Sequence, residues 1–400
     1  MDVRKIQSEE EREAYSKLCR YAFEPNHNNY EGMEFPPETI PNDDLYGCFD
    51  DGRLISGLNV IPFPALKIRG KDFSMVGVAG VATKPEDRNR GAVRALFAQM
   101  FEDNYNDGVA FSVLYPFSYA YYEMFGYALA DENMLYQFPI SSIKRKKFPN
   151  RYFREVEGIT GEIRSVYQQF TEKFNYMTDR PEHMWNNRNK YSGYKFVCYD
   201  ENDTAVGYAF LFFLKEDRFL EEPARTLALM EYCWLDPITR QAILTDLVWS
   251  HRDHRKYVAF AHPTNQNVID LLDNPRVTRW IIRPNSMARI VNLQKVLLGL
   301  SYPLTDFECV IRVQDESCPW NNGFFQLQSV GGVVSFDEVA EAKADDVDLD
   351  LSINLLTQLV VGFRTVSELA ELGLVKVKEG KEDLFDSLFP RCVNFLRDFF

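Results

Sequence analysis

Apolar residues at Val93, Leu96, Phe97, Met100, Phe101 and Tyr105 recur three or four positions apart. They predict a helix with one apolar stripe, closed by Gly108. Ahead of it, Val76, Val78 and Val81 form a strand interrupted by Gly77 and Gly80, the mark of a bulge or a close backbone approach. Residues 109–115 read as a second strand, followed by an aromatic run from Tyr119 to Tyr127. Upstream, Ser8 and Glu11 make a capping box for a helix reaching about Phe23. Asp50-Asp51-Gly52 turns a hairpin between strands 45–49 and 54–62, and strands near 65–69 and 73–82 complete the sheet.

A second αβ unit follows the basic run Lys144 to Lys147, itself read as a solvated linker. It has a helix at 163–174 and strands at 195–199, 207–214 and 226–235. Asp236 then caps a helix with Pro237 in its first turn, and a strand at 256–261 and a helix at 265–272 close the unit. A third unit carries strands at 307–313, 324–330 and 332–336, then helices at 352–361, 365–372 and 381–388. The fold class is mixed, α+β and α/β. A chain of 400 residues suits several cores, and the pattern divides it at 1–148, 149–285 and 286–400.

Composition narrows the function. With 46% hydrophobic residues each unit can bury a sizeable interior. A net charge of −14 argues against nucleic acid and favours cationic small molecules, because an acidic cleft concentrates amines. No signal-peptide run and no span of roughly 20 apolar residues is present, so the expectation is a cytoplasmic protein without a membrane span. Seven scattered cysteines without a Cys-x-x-Cys pair are read as reduced, buried thiols. His251 and His254 have no third ligand near them in sequence, and no metal is expected.

The turn Arg88-Asn89-Arg90-Gly91 sets two guanidiniums and a glycine at the start of the striped helix, where free N–H groups and the dipole favour an anion such as a phosphate. Strand, basic turn, helix, strand and aromatic helix together resemble the acetyl-CoA core of the GNAT N-acetyltransferases. The series continues with Leu114-Tyr115-Pro116-Phe117 and Tyr122-Glu123-Met124-Phe125-Gly126-Tyr127. With Ser286 to Asn292 and the closing Phe400, it resembles the Eis family ("enhanced intracellular survival") over essentially the whole chain. One departure is visible. The general GNAT turn would have Gly or Ala at Val93.

The resemblance implies two tandem GNAT-like domains, the second without a cofactor turn, and a C-terminal sterol-carrier-like domain. It implies acetyl-CoA as cosubstrate, with contacts from Val81, Thr83, Arg88, Asn89, Arg90, Gly91, Phe117 and Ser118. It also implies a small-molecule amine acceptor near Glu24, Glu31 and Glu34, and a homo-oligomer, commonly a hexamer. Tyr122 is the implied general acid; a phenol of pKa about 10 is protonated at neutral pH and can donate to a thiolate. The base is the α-carboxylate of Phe400, anchored by Phe395, Phe399 and Phe400. Neutral Phe399 makes the pocket less anionic near that base and leaves the acceptor unnamed. The alternative function is an apolar-ligand or lipid carrier using the C-terminal domain; a further reading is a scaffold of relic GNAT folds.

Overall fold

The computed structural model describes the chain apart from residues 24–44, 191–192, 216, 218 and 340–345. Glu24, Glu31 and Glu34 therefore lie outside the described residues. The first unit runs β1 (Asp2–Lys5), α1 (Glu9–Phe23), β2 (Leu45–Asp50), β3 (Arg53–Ile68), β4 (Lys71–Thr83), α2 (Ala92–Asn106), β5 (Phe111–Leu114), α3 (Tyr119–Glu123) and β6 (Ala128–Leu129). The capping box ahead of α1 is made: Ser8 Oγ accepts from Glu11 N, and Glu11 Oε2 accepts from Ser8 N. The hairpin turn uses left-handed Asp51 and Gly52. One long β3 replaces the two strands expected at 54–62 and 65–69. Its pairing with β4 shifts between Phe63 and Leu66, and that irregularity accommodates Pro64, which has no N–H for the ladder.

Two strands lie across the division expected from sequence. β7 (Glu132–Pro139) falls within 1–148 but pairs in the second sheet, with Tyr257–His262 on one side and Arg279–Pro284 on the other. Met287–Ile290 falls within 286–400 but fills the gap between β5 and β6 in the first sheet. The two crossings run side by side. Ala130 N donates to Ser286 O, Asn285 N donates to Asp131 O, and the buried Asp131 carboxylate accepts from Asn285 Nδ2 and Ser286 N. Each sheet thus needs a strand that begins from the other's side of the crossing.

The second sheet is ordered Arg279–Pro284, β7, Tyr257–His262, Thr226–Trp234, Ala205–Phe213, Tyr194–Tyr199, Tyr152–Glu155. The helix expected at 265–272 is reduced to a 3-10 turn at Ile269–Leu271, following a Pro- and Asn-rich approach at Pro263, Asn265 and Asn267 that favours turns. A helix at Glu182–Asn189 was not anticipated; its mixed polar sequence has no apolar stripe. The third sheet places Phe307–Gln314 between Gly323–Val330 and Leu349–Ser352, with helices Ile353–Val360, Val366–Glu371 and Glu382–Leu388.

The cores explain the joining of the units. One face of the first sheet shares a single apolar cluster with the third unit, in which Leu66, Phe111 and Ile290 pack with Leu356, Leu359 and Phe389. The other face packs α2 against Tyr122, Phe125 and Tyr127. Arg289 is fully buried at this junction: it is paired with Asp315 at 2.7 Å, donates to Phe125 O, and lies over the Phe101 ring at 4.1 Å. A Cβ at Gly126, whose φ is +81°, would run into that guanidinium, which is why Phe125-Gly126-Tyr127 requires its glycine. Asp315→Asn leaves Arg289 buried without its counter-charge. The expected outcome is destabilisation by about 3–5 kcal/mol, read as a lower urea midpoint at unchanged secondary structure.

Candidate active site

The turn Arg88 to Gly91 has a backbone geometry suited to an anion. Asn89 and Gly91 both adopt left-handed backbone, at φ 62° and 82°, on either side of Arg90, and Gly91 caps α2 with open space around it. Successive N–H groups in such a turn form a concave anion site, to which the start of α2 adds its dipole. The four residues 88–91 are exposed. The two guanidiniums differ in employment. Arg90 bonds Asp87 at 2.7 Å and Asp50 at 2.6 Å, and holds the Asp50 carboxyl below the usual range. Arg88 makes no ion pair among the described residues. Arg90 thus braces the turn against the end of β2 and against the buried Asp87, and its surface contact with Asp50 is of the kind easily exchanged for another anion.

The open edge of β4 leads to this turn. β4 pairs with β5 in parallel from Met75–Phe111 to Val78–Leu114, where β5 ends. Its other edge stays on β3, with Thr83 opposite Ser56 and a bulge between the Gly57 and Asn59 pairings. Lys84 N donates to Ile55 O on β3, so the alternation of the strand aims the N–H groups of Thr83 and Val81 at the opposite edge, which has no strand partner among the described residues. Gly80 lies in the bulge at φ +60°, with Tyr15 OH bonded to its carbonyl at 2.9 Å. From Val78 to Thr83 the open edge is about 17 Å long at roughly 3.3 Å per residue.

The aromatic run sorts by its hydroxyl groups. Tyr115 OH donates to Asp398 O at 2.5 Å, Tyr119 OH to Asn285 O at 3.3 Å, and Tyr127 OH pairs with Ser112 Oγ at 2.6 Å. No hydrogen bond occupies the Tyr122 hydroxyl among the described residues. Its ring is 3% exposed and stands edge-on to Phe97 of α2 and to Phe117. Phe97 is six residues along α2 from Gly91, about 9 Å by helix rise. Phe117 is 70% exposed beside Tyr121, and Ser118 begins α3 without using its hydroxyl as a cap.

Phe400 folds onto this same sheet. Its ring centroid is 5.1 Å from that of Phe63 and 5.3 Å from that of Tyr115, and a Cβ at Gly77 would come within 2.5 Å of it. Gly77 is therefore bare because Phe400 covers it, one residue before β4 leaves β5. Phe399 is two-thirds exposed but touches Tyr115, while Phe395 is buried in the second unit's core. The residues that hold this segment, Asp131, Arg180, Arg188 and Glu231, were not singled out from sequence. They are far from it along the chain, and no spacing rule links them. All seven cysteines are free, with Cys19 and Cys392 only half-buried.

Residues 2–130 match the family profile of an acetyltransferase (GNAT) domain, residues 177–290 match a second GNAT profile, and residues 293–396 match a sterol carrier protein domain. An uncharacterized N-acetyltransferase of Streptomyces avermitilis is 23% identical over 351 residues, which is 82% of each chain. The whole chain superposes on 99% of a probable N-acyltransferase from Enterococcus faecalis, with a TM-score of 0.87 and 23% identity. It also superposes on all of Eis1 from Mycobacterium abscessus, with a TM-score of 0.81 and 19% identity, a likeness of fold. The two matches give the chain tandem GNAT acetyltransferase domains, a domain type whose cosubstrate is acetyl-CoA. The chain is thus an N-acetyltransferase of two GNAT domains followed by a sterol carrier domain, with a fold like that of Eis1. No helix among the described residues is long and apolar enough to cross a membrane.

Burial pushes the Tyr122 phenol above its ordinary value, and Tyr121 beside it acts in the same direction. The hydroxyl therefore keeps its proton throughout the neutral range. Subtracting the tyrosinate absorbance titration of Tyr122→Phe from that of the native chain should leave no ionisation step below pH 10. A step at lower pH would contradict the buried environment.

Proposed function

We propose that the chain transfers the acetyl group of acetyl-CoA to a primary amine of an aminoglycoside, polyamine or lysine-like acceptor, by direct attack on the thioester. The observation that carries this reading is the open edge of β4. It runs from the anion-binding turn at one end to the place where Phe400 covers Gly77 at the other. An extended pantetheine arm fits such an edge, with its pyrophosphate at Arg88 to Gly91 and its amides against Val81 and Thr83. Phe117 and Ser118 stand beside Tyr122 and take the role of further cofactor contacts.

The chemistry follows from that placement. The neutral amine attacks the thioester carbon, a C–N bond forms, and the carbonyl oxygen takes the charge, steadied by the Val81 N–H. As the C–S bond breaks, Tyr122 gives its proton to the coenzyme A thiolate, and the proton of the attacking nitrogen passes to the Phe400 α-carboxylate. Proton return from that carboxyl group or solvent restores the tyrosine. The hydrogen-bond pattern supports Tyr122 over Tyr115, Tyr119 and Tyr127, which already donate or share their hydroxyls. Acidic composition supports a cationic acceptor. Glu24, Glu31 and Glu34 keep the acceptor-binding role in this reading on resemblance alone. The carrier alternative has the sterol carrier match of residues 293–396 in its favour, but the third unit packs its apolar side into the first sheet's core.

The test is coenzyme A release from acetyl-CoA against a panel of polyamines, aminoglycosides and lysine peptides. Tyr122→Phe should keep acetyl-CoA affinity and lose about 10²–10⁴-fold in kcat. Adding two glycines after Phe400 should abolish turnover while leaving acetyl-CoA bound. Unchanged turnover in either variant removes that residue from the mechanism, and silence of the native chain across the panel removes the named acceptor classes.

A further inference from the structure

The second GNAT domain repeats the first domain's splayed strands. In the first sheet the last parallel pair is Val78–Leu114, and the bulge in β4 follows it. In the second, strand Thr226–Trp234 pairs in parallel with Tyr257–His262 only as far as Leu229–Phe260. Its other edge shifts register between Leu229 and Glu231, with Met230 the extra residue. The same device, a bulge where the parallel neighbour is left, opens a groove in both sheets.

In the second sheet this groove is filled by the chain itself. Arg397 Nη2 donates to Met230 O, the bulge carbonyl, at 2.9 Å. The Phe395 ring packs on Phe174 within the second core. Upstream, Cys392 and Val393 line a cleft of about 530 Å³ together with Trp234, Asp236 and Arg240, so the segment follows the face that a cofactor would occupy. Asn394 donates to Ala130 O at 2.6 Å and accepts from Asn175 Nδ2, and Phe395 N donates to Asn175 O.

The deepest contact is a buried quartet of charges. Asp398 is fully buried and accepts from Arg180 Nε at 2.6 Å, Arg188 Nη2 at 2.8 Å, Tyr167 OH at 2.7 Å and Thr178 Oγ1 at 2.7 Å. Glu231, next to the bulge residue, accepts from both arginines and from Tyr208 OH. Two cations face two anions here, and Arg397 adds a further positive charge near Glu231. Burial alone would push the Asp398 carboxyl up, but Arg180 and Arg188 bring it below its ordinary value, so it is charged at neutral pH. The backbone of the same residue reaches the other domain, since Asp398 O accepts from Tyr115 OH near the end of β5.

We propose that the vestigial cofactor groove of the second GNAT domain is a binding site for the chain's own segment 393–398. Arg180 and Arg188, themselves held by Glu231, hold Asp398 there, and that hold positions Phe400 on Gly77. Arg180 and Arg188 are positioning residues: they act through Asp398 and touch neither acetyl-CoA nor acceptor. The proposal rests on the reading that places Phe400 at the reaction centre.

The test uses the full chain with Asp398→Asn, and with the pair Asp398→Asn and Arg188→Gln, which restores charge balance and keeps the protein folded if the single variant is not. Measured are kcat and KM for the best amine of the panel, acetyl-CoA affinity, melting temperature, and amide hydrogen exchange at residues 395–398. The expected result is faster exchange confined to that segment, a fall in kcat of about 100-fold, and unchanged acetyl-CoA affinity. The pair should regain melting temperature without regaining kcat, which a purely structural role would not give. Unchanged exchange at 395–398 overturns the binding site itself. Faster exchange with native kcat overturns the positioning role by way of the Phe400 reading, while the glycine extension separately decides whether the carboxylate is the base.

Discussion

Everything at the site depends on the crossing between Ala130–Asp131 and Asn285–Ser286. The strand Met287–Ile290 must return through it to complete the first sheet, and it brings the buried Arg289 to the back of the Phe125-Gly126-Tyr127 turn. A buried guanidinium is tolerable only with its counter-charge and acceptors in place, here Asp315 and the Phe125 carbonyl. The consequence is that the turn after α3, the helix carrying Tyr122, is fixed from behind through Arg289 and Asp315, and cannot be considered as part of an independent first domain. Asp131 carries the same coupling forward, because besides Asn285 and Ser286 its carboxylate accepts from Leu396 N in the last segment of the sequence.

The two GNAT domains differ in what caps the helix after the splayed strand. At α2 the helix start is capped by Gly91, which offers no side chain and leaves the N–H groups for a ligand. At the corresponding helix of the second domain, Pro237–Ala242, Asp236 caps: Oδ1 accepts from Thr239 N, and Oδ2 accepts from Thr239 Oγ1 and Arg151. A carboxylate already holds the place a phosphate would need, and like charges exclude a second anion. Gly91 and Asp236 are single residues, yet they decide the sign of charge each helix start accepts.

Much of this was legible because it is local. The stripe from Val93 to Tyr105, the Ser8 capping box, the Asp236 cap and the left-handed turn at Gly91 are all written within a few residues of the element they determine. Glycines 77 and 80 signalled a close approach, and the approach is there, from Phe400 and Tyr15. What was not legible is which sheet a strand joins. Period-two alternation gives a strand's faces but not its neighbours, so β7 and Met287–Ile290 were assigned by position in the chain. Nor does pattern reveal the charge quartet, since Arg180, Arg188, Glu231 and Asp398 each read alone as ordinary surface residues.

That quartet answers a physical difficulty in the role proposed for Phe400. Ordering a residue's backbone costs roughly 1–2 kcal/mol, and chain ends fray unless they are tied down. Phe399 is too exposed to supply the tie, and the Phe400 ring rests on a shallow seat of Gly77, Phe63 and Tyr115. Apolar contact of this kind is non-directional and would tolerate sliding. Four charge-assisted or hydroxyl bonds converging on the Asp398 carboxylate, with a fifth on its carbonyl, set both position and orientation two residues before the end. The directional part of the anchor therefore lies in the second domain, and the first domain receives the residue already placed.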